Sequence, residues 1–339
     1  MPTVRLSEGI TEYLAFRRAH GDKANTVANH AQVLRKAQRC WGDIQITSIT
    51  GQHVARLFTQ NQWAPSTRNL YLGNLRTFFK WARSMRYYAR DADPTESWSS
   101  IRVPDTEYLR IDVHEFAAVL EAAPHPRDRA IVALGLFTLS RGSEVSNFRI
   151  EDLDLGAGTL RIYRQKTGDI DVLPVSAELA AEMTLYLNWY RTDQGELRPN
   201  WWLVPAKNPD LWEQGANGRL VRSNVMASLK PTVKETKPYR AVQRALGSLG
   251  YDRKQVGLHT LRRSGARALA DRLRTEGYDS ALLRVGSLMG HRDTKMTERY
   301  IGWHLERTQR NAMLTGQTMY PEMESRPGTL HVVRETDNG

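Results

Sequence analysis

Apolar positions in the first 90 residues recur at helical spacing, and four helices can be read from them. In Ser7 to Arg18, Ile10, Tyr13, Leu14 and Arg17 form one stripe. Asn25 or Thr26 is the expected cap of a second helix that lines up Val27, Ala31, Leu34 and Gln38. Thr50 precedes a third, with Val54, Leu57 and Phe58 turned inward. Pro65-Ser66 opens the longest, in which Leu70, Asn74, Phe78 and Trp81 fall near one line. Lys and Arg fill the opposite faces. The periodicity stops between Arg90 and Asp112, where Pro94 and Pro104 push the preceding residues away from helix and an extended linker is expected.

From Asp112 the pattern resumes. Asp112 is the expected cap of VHEFAAVLEAA, and HPRDRAIVALGLFTLS is apolar on most sides, so it belongs deep in a core. Between Leu153 and Val175 the period changes to two: TLRIYRQK and DIDVLPV read as strands joined at Thr167-Gly168-Asp169. Ser176 caps a helix reaching Tyr190, and WWLVPA (201–206) reads as a short buried strand or turn. Residues 208–222, rich in Gly and Asn, read as a loop, and Arg240 to Leu249 as a helix leading into LHTLRRSGARALADRL. Trp189, Trp201, Trp202 and Trp212 are expected in the core. The layout is therefore a helical domain (1–90), a linker (91–111), a mainly α domain with a small antiparallel sheet (112–312) and a tail (313–339). A chain of 339 residues can build a core in each of two domains.

Charge changes this picture. The net charge is +11, and residues 1–90 hold 14 Lys and Arg against 4 Asp and Glu. A basic helical bundle interleaved with aromatics suits a phosphate backbone. Arg35, Lys36, Arg39, Arg68, Arg76, Lys80 and Arg83 are the candidate contacts. A solvated basic face is the other reading. With 40% hydrophobic and 25% charged residues the composition is that of a globular protein. No apolar run approaches the ~20 residues of a membrane helix, and MPTVRLSEGI lacks the apolar core of a signal peptide. A cytoplasmic location is the expectation. The single cysteine, Cys40, offers no thiolate cluster for zinc, so neither a metal nor another cofactor is expected.

The candidate chemistry lies between Leu258 and Trp303. His259 and Arg262, three apart, share one helical face. His291 follows in LMGHRDTKMTERY, with Tyr300 nine residues beyond it. Two imidazoles, a guanidinium and a phenol suit attack on a phosphodiester: donors hold the phosphate oxygens and a hydroxyl displaces one of them. Upstream, Arg141 directly follows an apolar run and has Glu144 one turn on, which alone reads equally well as a structural ion pair. Lys166 sits at the mouth of the hairpin turn, where a lysine is ordinarily just solvated. Arg263, next to Arg262, is expected at the surface or on the DNA backbone.

The order and spacing of TLSRGSEVSNFRIEDLDL, RQKTGDIDVLPV, LHTLRRSGA and LMGHRDTKMTERYIGW resemble the tyrosine recombinases of the phage integrase, Xer and Cre group. The resemblance covers residues ~5–312 and implies a core-binding bundle and a catalytic domain that close on DNA as a C-shaped clamp. It assigns Tyr300 as the nucleophile that forms a 3′-phosphotyrosine, with Arg141 and Arg262 holding the phosphate. His259 takes or shares the tyrosine proton, Lys166 protonates the leaving 5′-oxygen, His291 donates a further hydrogen bond, and Glu144 supports them. It implies double-stranded attachment sites as partner and a homotetramer that passes through a Holliday junction, with a directionality factor as an optional addition. Because the first helix starts near residue 6, it implies a short phage or mobile-element integrase without an arm-binding domain. A Xer-type dimer resolvase, a type IB topoisomerase and a DNA-binding regulator with a dead site are the alternatives. In the tail, the alternating run 329–333 is expected to pair with a sheet edge, in cis or on a neighbouring protomer.

Overall fold

The structure, a computed structural model, describes residues 3–87, 93–104, 108–164, 168–208, 212–214, 220–222 and 228–303. Lys166 and the tail, including 329–333, lie outside the described residues. The chain divides into two compact units, residues 1–106 and 107–339.

The first unit is a bundle of α1 (Leu6–Ala19), α2 (Ala24–Trp41), α3 (Gly51–Asn61) and α4 (Pro65–Ser84). Its core is built from Leu6, Tyr13, Leu34, Leu57, Leu72, Phe78 and Phe79. Tyr13 meets Phe78 edge-on, with ring centroids 5.4 Å apart. Pro65 sits at the first turn of α4, where its missing N–H has no intrahelical partner to lose. Two details depart from the periodicity. Helix α2 starts at Ala24 behind Lys23, ahead of the expected Asn25 or Thr26 cap, because Gly21 at φ +79° reverses the chain sooner. Leu70 is 54% exposed, so the buried face of α4 runs instead through Tyr71, Leu72, Leu75, Phe78 and Phe79.

The segment read as an extended linker also differs. Residues 93–101 fold back on the bundle. Asp93 Oδ1 accepts from Thr95 N–H at 2.8 Å, closing a turn that buries Thr95. Trp98 packs edge-on against Phe58 at 5.1 Å. Asn69 exchanges two hydrogen bonds with the Ile101 backbone, at 2.7 and 2.9 Å. The prolines prevent helix, but the buried aromatic surface and these bonds prevent a loose strand.

In the second unit, α5 (Phe116–Glu121) leads to α6 (Pro126–Phe137), which is buried on nearly every side. Around it pack α8 (Ala177–Gln194), α9 (Tyr239–Ser248) and α10 (Leu258–Thr275). Helices α6 and α10 cross closely because α10 carries Gly265: a Cβ there would sit 2.1 Å from Leu136 O. Short α7 (Gly142–Val145) follows α6, and α11 (Ala281–Met289) and α12 (Thr294–Ile301) close the described chain. A three-stranded antiparallel sheet, β1 (Leu153–Asp154), β2 (Thr159–Tyr163) and β3 (Ile170–Pro174), pairs Tyr163 with Ile170 at the mouth of the hairpin.

Beyond α8, β4 (Pro205–Lys207) pairs with a later strand, Leu229–Lys234. Between them the expected loop contains a short antiparallel pair, β5 (Trp212–Gln214) with β6 (Leu220–Arg222), numbered before the later strand, β7. A Gly- and Asn-rich composition allows hairpins as readily as loops. Of Trp212 only the backbone is described, while Trp189 and Trp201 pack against the core as expected. A buried ion cluster ties this region to α6. Asp128 pairs with Arg127 at 2.5 Å, with Arg244, and with Lys207 at 3.7 Å. Burial opposes its ionisation, but these cations outweigh burial and hold the carboxyl at about 2.

The described chain is mainly α with small antiparallel sheets. No helix among the described residues is long and apolar enough to cross a membrane.

Candidate active site

Helix α6 ends in a backbone feature that shapes the site. Leu139, buried at 2% exposure, takes φ +54°, a conformation that costs a non-glycine residue about 1 kcal/mol or more. This turns Leu139 O toward α10, where it accepts from Arg262 Nη1 at 2.5 Å. Two residues on, Arg141 stands before α7. Its backbone N–H donates to Glu144 Oε2 at 2.6 Å and its Nη1 to Oε1 at 3.0 Å. The structural ion pair considered from the sequence is thus present, but it belongs to a larger group.

Glu144 is 1% exposed and faces three guanidinium groups. Beyond Arg141, Arg164 Nη1 lies 3.6 Å and Arg262 Nη1 3.7 Å from Oε2. Arg164 was not singled out by the sequence reading. It is buried, pairs with Asp171 at 3.1 Å and donates to Leu288 O at 2.7 Å. Gly290 makes room for it: φ is +65° there, and a Cβ would lie 3.1 Å from Arg164 Nε.

Gly257 precedes α10, whose first turns carry His259 and Arg262 on one face. Arg262 is 1% exposed, and besides Leu139 O it donates to Met289 O at 2.9 Å. Burial pushes its pKa down to about 10, so it stays protonated at neutral pH. Its Nη2 also lies 3.3 Å from His291 Nε2. A guanidinium has only donors, so Nε2 accepts, and the ring proton sits on Nδ1, which donates to Thr297 Oγ1 at 3.1 Å. Thr297 is fully buried on α12.

Tyr300, also on α12, completes the group. Its hydroxyl lies 3.4 Å from His259 Nδ1 and 3.2 Å from His259 O, and its single proton serves one of these acceptors at a time. His291 meets its ring edge-on at 5.8 Å, and the Arg262 guanidinium lies 5.7 Å from the ring centre. Burial raises the phenol pKa above its ordinary value, with the charges of Arg262, Arg263 and Arg141 opposing. The outer edge of His259 reaches solvent, yet its inner side is crowded out of water and faces the same arginines. Both effects lower its pKa.

The structure therefore brings Arg141, Glu144, His259, Arg262, His291 and Tyr300 to one place and adds Arg164 and Thr297. Arg263 is not at the open surface: its guanidinium lies over Tyr108 at 4.2 Å and over Tyr300 at 5.2 Å. In the first unit Arg35, Arg39 and Lys80 are exposed, and Lys36 is half-exposed. Three other candidate contacts hold the chain's own segment 93–101. Arg68 lies over Phe58 and donates to Ser99 O at 3.2 Å, Arg76 donates to Trp98 O, and Arg83 pairs with Asp93 at 3.1 Å. Carbonyls and a carboxylate from that segment accept from them, taking part of each guanidinium's donor set. No group of three His, Cys, Asp or Glu among the described residues has the geometry of a metal site.

The sequence model of the phage integrase family matches residues 110–306, more than half of the chain and all of this site. The chain belongs to the phage integrase family. Tyrosine recombinase XerD of Staphylococcus aureus is 25% identical over 325 residues, spanning 88% of this chain and 95% of that protein. Tyrosine recombinase XerA of Thermococcus kodakarensis is 27% identical over 192 residues, 56% of this chain. That match spans 64% of XerA, less than two thirds of its length. Among solved structures, lambda integrase has a similar fold, both as a dimer bound to a COC′ core site (TM-score 0.65) and as a tetramer bound to a Holliday junction (0.64). In both it is 17% identical, over 88% of this chain and 77% of the other. This member of the family thus has the two-domain tyrosine recombinase fold.

Proposed function

We propose that this chain is a site-specific DNA recombinase in which Tyr300 attacks a backbone phosphate of double-stranded DNA. The observation that carries the reading is the convergence of one phenol, two imidazoles and two guanidinium groups from the turn before α7, from α10, from the turn before α12 and from α12. Since burial keeps the phenol protonated, its proton must leave as it attacks, and His259 is the base within reach. The Tyr300 oxygen bonds to phosphorus as the bond to the 5′-oxygen breaks, leaving a 3′-phosphotyrosine and a 5′-hydroxyl. Lys166 supplies the proton that the 5′-oxygen takes. Arg141 and Arg262 stabilise the charge on the pentacoordinate phosphorus. His291 accepts from Arg262 in the DNA-free protein, and an anionic phosphate favours the extra proton that turns Nε2 into a donor. The covalent link conserves the bond energy, so rejoining needs no ATP.

Arg35, Lys36, Arg39 and Lys80 of the helical bundle serve as phosphate contacts in this reading. A homotetramer exchanging strands through a Holliday junction is supported by the likeness in fold to lambda integrase. Integration and excision of phage or mobile-element DNA is the first reading of the biological reaction. Xer-type dimer resolution is the second, favoured by the XerD match over 95% of that protein.

The test is covalent capture. On a nicked suicide duplex, Tyr300→Phe should bind like the wild type and form no SDS-resistant adduct. An adduct in the Phe variant would refute the assignment of the nucleophile. Sequencing the captured DNA separates an element's attachment site from a chromosome-dimer site.

A further inference from the structure

The chain that opens the second unit straps across both helices that carry the reactive groups. Ile111 N–H donates to Ser264 Oγ on α10 at 2.8 Å. Leu109 O accepts from Arg263 Nη1 at 3.4 Å. Arg110 Nη1 donates at 2.7 Å to Ile301 O, one of the carbonyls that the end of α12 leaves without a helical partner. Tyr108, 53% exposed, lays its ring under the Arg263 guanidinium, 4.2 Å from the ring centre, while the same guanidinium lies 5.2 Å from the centre of Tyr300.

Arg263 is poorly suited to a purely structural role. Its Nε is buried without a hydrogen-bond partner among the described residues, an arrangement that disfavours the folded state. What the position does provide is a fixed cation against the face of the ring whose hydroxyl reacts. Such a cation restrains rotation of the ring through its quadrupole, and it favours negative charge developing on the phenol oxygen.

We infer that Arg263, steadied by Tyr108 in the strap 108–111, is a positioning residue for the Tyr300 nucleophile. The inference rests on Tyr300 being that nucleophile. It gives residues 108–111 a part in the chemistry: the strap fixes the end of α12 through Arg110 and the ring of Tyr300 through Arg263. The field of Arg263 also lowers the phenol pKa against the effect of burial.

The test is single-turnover adduct formation by the full chain on a suicide duplex, with DNA affinity measured in parallel. Arg263→Gln should cleave about 10- to 100-fold more slowly, the usual consequence of a misplaced reacting group, with affinity little changed and the rate's rise with pH displaced to higher pH. Arg263→Lys keeps the charge and should keep the pH profile, but should recover only part of the rate because it lacks the planar face. Tyr108→Phe should match the wild type, and Tyr108→Ala should lose about 2- to 5-fold, the worth of an exposed cation–π contact. Tyr108 is exposed, so that pair remains informative even if Arg263→Gln folds poorly. Wild-type rates in Arg263→Gln and Tyr108→Ala overturn the inference. So does a loss of affinity equal to the loss of rate, which would make Arg263 a DNA contact. An adduct that survives Tyr300→Phe overturns the nucleophile, and this inference with it.

Discussion

Glu144→Gln isolates the charge that holds the arginines of the site together. The substitution keeps the volume and an acceptor for the Arg141 N–H, and exchanges the negative charge and the second acceptor, now used by Arg141 Nη1, for an amide NH2. Glu144 faces guanidinium nitrogens of Arg141, Arg164 and Arg262 at 3.0, 3.6 and 3.7 Å. At an effective dielectric near 20, one unit pair at ~4 Å is worth about 4 kcal/mol. Much of that is offset by taking the carboxylate out of water, so the measurable loss on removing one partner of such a network is about 3–5 kcal/mol. For a unit of this size each kcal/mol moves the melting temperature by about 2–4 °C, giving a fall of roughly 6–20 °C. Thermal and urea unfolding of the full chain read this directly. Arg164→Gln supplies the control. In the wild type it removes an attraction, whereas in the Glu144→Gln background it relieves repulsion with Arg141 and Arg262, so the two changes should couple by at least about 1 kcal/mol. A Glu144→Gln protein within ~1 kcal/mol of the wild type, or strict additivity with Arg164→Gln, would refute the three-arginine account.

Two further outcomes follow from the site. In the proposed reaction His259 must be neutral to take the tyrosine proton, and its pKa lies below the ordinary 6.5, so activity should be lost only as pH falls through that lower value. Second-order rates of adduct formation at limiting protein, which report the DNA-free ionisation, should be level from about pH 7 upward and fall tenfold per unit only below about 6.5; half-loss at or above 6.5 would contradict the depressed imidazole. Thr297→Val removes the acceptor of His291 Nδ1 while keeping the side-chain shape. The ring should then lose its single tautomer, seen by 15N NMR of the imidazole, and adduct formation should slow by about tenfold; an unchanged tautomer would show that Arg262 alone sets it.

The parts of the site legible in the sequence share one property: their relation is set within a single element. His259 and Arg262 are one helical turn apart, Arg141 and Glu144 likewise, and His291 and Tyr300 are joined by a short turn and α12. The four-helix bundle was legible for the same reason, since its buried stripes are periodic. Arg164 and Arg263 fail that condition. Arg164 follows β2 on the buried parity of Leu160 and Ile162, so alternation places it inward; what receives it there, Gly290 and Leu288 far along the chain, is not in that pattern. Arg263 lies next to Arg262 but about 100° around the helix, on a face that a helical wheel leaves to solvent. The strap 108–111 covers that face, and where an aperiodic segment lies is not encoded in its own pattern. Segment 93–101 repeats the point in the first unit, where Trp98 and Asp93 bind arginines on the basic faces of the bundle. The same physics explains why these positions tune the site: a side chain held by a distant segment moves when that segment moves. A cation over the Tyr300 ring and fastened to Leu109 O therefore changes the nucleophile's surroundings whenever the strap shifts, whereas Arg262, fixed to Leu139 O and Met289 O inside the core, does not.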